Sequence, residues 1–188
     1  MITASFLEDK AYPSVKKQTL MIAAAVTAAV LFPQLFHLAG VMAGTGPLPG
    51  RTWLPMHIPV LAAGMLAGPL AGAVLGLLSP LVSFALSGMP DAARLPFMTS
   101  ELAFLGLAAG LMYRVKLPVV LKVLAAQLLG KVIYFAGLIL LADASFKTVV
   151  MTLKAGLPGL VLQLVSIPLV FMLMKKYADR RASQTFSG

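Results

Sequence analysis

Residues 57–88 read HIPVLAAGMLAGPLAGAVLGLLSPLVSFALSG. The stretch is almost wholly apolar, yet too long for one membrane crossing, which takes roughly 20 residues. Gly68-Pro69 divides it, because proline lacks the N–H that would continue a helix and clashes with the preceding turn. Two helices are expected, 57–68 and 70–88, the first short for a bilayer and therefore tilted or buried among neighbours. Gly64, Gly68, Gly72 and Gly76 recur at every fourth position, Ser79, Ser83 and Ser87 continue the period, and Gly106 and Gly110 repeat it further on. Small residues at this spacing let helix backbones approach closely where lipid supplies no hydrophobic drive between helices. They read as scaffold.

Outward from this stretch the same apolar density persists. The chain has 188 residues, 60% hydrophobic and only 11% charged, whereas a soluble domain carries about 25% charge. The apolar surplus must face lipid. The pattern predicts an all-α membrane protein of six transmembrane helices, at 18–39, 57–68, 70–88, 97–113, 118–142 and 150–174. They form one domain: a polar segment 1–17, a six-helix bundle within 18–175, and a polar tail 176–188. Pro33 predicts a kink in the first span. Lys16 and Lys17 precede the apolar run Thr19–Phe32 as in a signal peptide, but no small-x-small site followed by a soluble domain appears. The run is read as the first membrane helix. Residues 40–56 contain GTGPLPG and read as a loop, with Trp53 suited to a membrane interface.

Lysine and arginine placement sets the orientation. With the N-terminus inside, ten of the 15 fall on the inner side, Lys16, Lys17, Arg114, Lys116, Lys175 and Lys176 among them. Arg51, Arg94, Lys147 and Lys154 fall outside, and Lys131 lies within a span. Both termini are thus expected in the cytoplasm. The net charge of +9 reads as topology signal and headgroup contact rather than as a nucleic-acid surface, since no basic run interleaves with aromatics. There is no cysteine, hence no disulfide or thiolate site. His37 and His57 are too few for a metal cluster, and no cofactor is expected. HExxH, GxSxG, GxxxxGK[ST] and GxGxxG are all missing, so catalysis and ATP hydrolysis by this chain are not expected.

The scarce polar groups inside spans carry the functional signal, because a charge at the bilayer centre costs ~2.5–3.5 kcal/mol on insertion scales. Glu101 sits about one turn into the fourth span. Lys131 lies roughly 15 Å deep in the fifth, at about 1.5 Å per residue. Gln127, Lys131 and Tyr134 share one helical face, and Gln163 is central in the sixth span. Two readings stand side by side. Glu101 and Lys131 form a structural ion pair, with Gln127 and Gln163 as interhelical hydrogen bonds; or these groups line an outward pocket that meets a solute. His57, beside Pro59, reads as a helix-start anchor. On the first span, Ala24 with Ala28 and Ala25 with Ala29 make Ala-x-x-x-Ala pairs, a seam with either another helix of the chain or a partner subunit.

The stretch MHIPVLAAGMLAGPLAGAVLGLLSPLVSFALSGMP, followed by LPFMTSELAFLGLAAGLMY, resembles the substrate-binding S components of energy-coupling factor (ECF) vitamin transporters, closest to the riboflavin- and pantothenate-type group. The resemblance implies a six-helix bundle in a prokaryotic cell membrane that captures a vitamin or related micronutrient at its outer side. It implies docking on a transmembrane coupling subunit driven by two cytoplasmic ATPases, with Ala24, Ala25, Ala28 and Ala29 at the docking surface. It points to Trp53, Arg94, Met98, Glu101, Gln127, Lys131, Tyr134, Lys154 and Gln163 as the substrate pocket. The positive excess outside favours an anionic ligand by steering. A stand-alone homo-oligomeric transporter or channel is the main rival, and a membrane enzyme or assembly factor a lesser one.

Overall fold

A computed structural model describes residues 15–46, 48–112 and 115–185. Most of the expected polar N-terminal segment, with Lys10, lies outside the described residues, as do Arg114 and the last three residues of the tail. Among the described residues every regular element is helical: α1 Val15–Met42, α2 Leu48–Trp53, α3 His57–Ala67, α4 Pro69–Ser87, α5 Leu95–Leu111, α6 Val119–Ala142 and α7 Phe146–Thr185.

Four of these contain apolar stretches long enough to cross a membrane: Ile22–Met42, Pro69–Ser87, Val119–Ala142 and Phe146–Met174. α5, at 17 residues, is shorter. α3 has only 11 residues, mostly buried. Three of the sequence boundaries differ instructively. The segment expected to be a loop holds α2, because Pro49 falls in its first turn, where a missing N–H costs nothing. The first helix continues through Pro33 to Met42, three residues beyond the expected end. The polar tail continues α7 to Thr185, since Lys, Arg, Ala and Gln are good helix formers whatever their hydropathy.

Gly68 joins α3 to α4 with φ of 100°, a backbone region that a side chain disfavours, and Pro69 opens α4 at a position proline tolerates. The two helices then run back to back. α5 returns along the same seam, where a Cβ on Gly72 would overlap the Gly106 carbonyl and one on Gly76 would overlap that of Leu102. Here the glycine period fulfils the scaffold role expected of it. The core forms around Val60, Leu61, Leu75, Leu102, Leu105, Val123 and Ile167, with Ala29 of α1 against it. Leucines and valines such as Leu140, Leu141 and Val165 stay exposed on the outer faces, as lipid contact requires.

The connections 43–56, 88–94 and 143–145 share one end of the bundle. α3 is shorter than α4, 11 residues against 19, so it stops about 12 Å lower at ~1.5 Å per residue. The space above its first residue, His57, is where the candidate site lies.

Candidate functional site

A cavity of about 330 Å³ opens at this end, within the range of about 300–1,000 Å³ usual for small-ligand pockets. His57 and Met56 line its inner part, beside the truncated start of α3. α2 lies across one side, its backbone packed on α7: a Cβ at Gly159 would come 2.7 Å from the Thr52 carbonyl oxygen. The chain turns from α2 into α3 at Leu54, which holds a left-handed φ of 48°, a costly conformation for a branched residue, and reaches toward Gly156 of α7.

The inner wall carries three ionisable groups. Glu101, on α5, is 3% exposed and His57 1%. His57 Nε2 stands 3.1 Å from Glu101 Oε1, and Lys131 Nζ of α6 contacts the same oxygen. A carboxylate only accepts, so Nε2 carries the proton and donates. Lys131 also lies 5.5 Å from the centre of the Tyr134 ring, a cation–π distance, and Tyr134 meets Phe97 edge-on at 6.5 Å. Two orphan atoms remain: His57 Nδ1 and Ser83 Oγ are buried without a hydrogen-bond partner, and both residues line the cavity. Buried polar atoms are almost always paired, so orphans beside open space mark places for a guest.

The middle wall is apolar and rich in thioether: Met98, Met151, Leu48, Leu54 and Pro90. Methionine adapts to irregular shapes. At the mouth, Asp91 stands between two guanidiniums. Its Oδ2 is 3.5 Å from both Arg51 and Arg94, and its Oδ1 accepts the Arg94 backbone N–H at 3.1 Å.

Of the residues expected at the pocket, Arg94, Met98, Glu101, Lys131 and Tyr134 come together on the cavity. Gln127 and Gln163 do not line it. They pair with each other between α6 and α7, Gln127 Nε2 donating to Gln163 Oε1 at 3.0 Å and to the Leu160 carbonyl at 3.2 Å. Trp53 ends α2 with its side chain 41% exposed and Lys154 is exposed on α7; neither lines the cavity. Sequence reasoning left out His57, Arg51, Asp91 and Ser83. The partner of His57 lies 44 residues away on another helix, and nothing local in the sequence announces it. Among the described residues no cluster could hold a metal ion.

On α1 the two alanine pairs separate. Ala29 is fully buried and Ala25 packs against the core, whereas Ala24 is exposed and Ala28 partly so.

A helical membrane protein with a ligand-sized cavity at one end, and with charge at depth beside it, belongs among solute-handling proteins. The family profile of the ECF transporter, substrate-specific component, matches residues 19–175. The chain belongs to that family, which is one of transporter subunits and not of enzymes. No curated protein and no solved structure is significantly similar to it.

Proposed function

We propose that this chain captures a vitamin or related micronutrient in the cavity above α3 and hands it to an importer powered by separate ATPase subunits. The supporting observation is the pairing of family membership with a cavity bordered by buried, unmet hydrogen-bonding atoms. In this reading the cavity end faces outward, both termini are cytoplasmic, and α3 and α5 join the four long helices as shorter spans of a six-helix bundle in a prokaryotic cell membrane. Arg94, Met98, Glu101, Lys131 and Tyr134 contact the substrate. The riboflavin- and pantothenate-type grouping belongs to the same proposal.

The coupling subunit docks on α1. Ala24 and Ala28 are the fitting pair, because Ala25 and Ala29 face the core. Replacing Ala24 and Ala28 by leucine should abolish assembly with the coupling subunit while substrate binding persists. Loss of binding as well would make this face part of the core.

Transport in reconstituted vesicles tests the whole reading. The co-purifying small molecule should accumulate only when the coupling subunit and ATPases are present with ATP. Accumulation driven by this chain alone would favour the stand-alone transporter.

A further inference from the structure

The seam between α4 and α5 changes character along its length. The half nearer Gly68 is glycine: Gly72 meets Gly106 and Gly76 meets the Leu102 carbonyl, backbone against backbone. Continued along the same two helix faces in antiparallel steps of three or four residues, α4 presents Ser79 where α5 presents Thr99. Ser79 is wholly buried and Thr99 is 9% exposed. Neither hydroxyl has a hydrogen-bond partner.

A hydroxyl on a helix can turn back to the carbonyl four residues earlier. Thr27, Ser87 and Ser100 do so, onto Ala23, Ser83 and Pro96. Ser79 and Thr99 do not, so two hydroxyls face one another across a closed seam without bonding. A third polar atom belongs to the same turn. Pro80 has no N–H, so the Gly76 carbonyl, which helix geometry directs toward residue 80, lacks its donor four residues on. Gly76 lies on the seam one turn before Ser79. A buried water makes about three hydrogen bonds, to groups that otherwise have no partner. It can donate to the carbonyl and to one hydroxyl while accepting from the other. Three neutral oxygens with no carboxylate among them suit an uncharged guest, since they would not offset the desolvation of a cation.

We infer that one water molecule is bound between α4 and α5 by Ser79 Oγ, Thr99 Oγ1 and the Gly76 carbonyl. It lies behind the cavity wall, because Ser83, one turn beyond Ser79, and Met98, next to Thr99, both line the cavity. It ties to α4 the part of α5 that carries Met98 and Glu101, whatever the cavity holds.

A crystal structure of the detergent-purified full chain, at a resolution that shows solvent, tests this directly. A water peak is expected at about 2.7–3.2 Å from all three oxygens. A dry seam, or hydroxyls bonded to each other or to the Leu75 and Leu95 carbonyls, would overturn the site. Thermal unfolding gives a second reading. Ser79→Ala and Thr99→Val should each lower Tm by about 2–4 °C. The double variant should lose less than the two shifts together, because either single change already releases the water. Dry orphans would behave in the opposite way, since removing a buried polar group without a partner stabilises. A raised Tm in either variant, or two shifts that simply add, therefore contradicts the water. Tm should be equal in sodium chloride and choline chloride, and a rise specific to sodium would give the place to a cation and overturn the inference.

Discussion

Two polar groups, a buried Gln127 and a partly buried Lys131, lie on the same face of α6, four residues apart. Lys131 meets Glu101, which also holds His57, beside open space; Gln127 meets Gln163 and a backbone carbonyl between packed helices. Both are costly in an apolar surrounding, and both are offset by partners. They differ in what remains unmet. The charged group borders a cavity, with the orphan His57 Nδ1 beside it, whereas the amide pair is enclosed, with only Gln163 Nε2 left over. Depth and polarity alone therefore do not distinguish a binding group from a structural one. The space beside the group does.

The contrast can be broken by substitution. The largest effect is expected at Glu101→Ala, which removes the buried carboxylate that both Lys131 and His57 hold. Losing one partner of such a pair costs about 3–5 kcal/mol, so both the melting temperature and ligand binding should fall steeply. Lys131→Met should be milder for folding, because the His57 ring remains to hold Glu101. It should still weaken binding by disturbing the inner wall, as calorimetric titration with the co-purifying molecule would show. Wild-type affinity in this variant would return Lys131 to a purely structural role. Smaller again is Gln127→Leu, which leaves Gln163 unpaired at about 1–3 kcal/mol. Its melting temperature should drop while the Kd stays unchanged, and the double variant Gln127→Leu/Gln163→Leu should recover much of the loss. A shift in Kd with either glutamine variant would erase the distinction between the two groups.

Most of the helical frame was legible in the sequence. Gly68-Pro69 splits one apolar run into α3 and α4 because a turn needs a positive φ followed by a residue with no N–H, and both requirements are local. The glycine period marked the α3–α4–α5 seam for the same reason: close backbone approach demands a missing Cβ. α2 was hidden, since GTGPLPG looks like a breaker until Pro49 is placed in a first turn. Hydropathy ended the last helix near residue 174, but it reports affinity for lipid, not helix formation. In the site, Glu101 and Lys131 stood out because charge at depth is rare. Gln127 and Gln163 stood out equally and proved to sit elsewhere, since one sequence cannot show which buried group borders a void. His57 escaped because its meaning depends on α3 stopping short, a difference in length between two helices rather than a property of the residue.

The cavity above His57 is the centre of this account, and filling it is the most direct test. Ala155 lines the space from an exposed position on α7, so Ala155→Trp should occupy it without disturbing the core. Mass spectrometry of the small molecule released from detergent-purified protein should find a single compound in the wild type and none in the variant, with the melting temperature of the ligand-free chain unchanged. The same compound in equal amount from both proteins would place binding elsewhere and contradict the account.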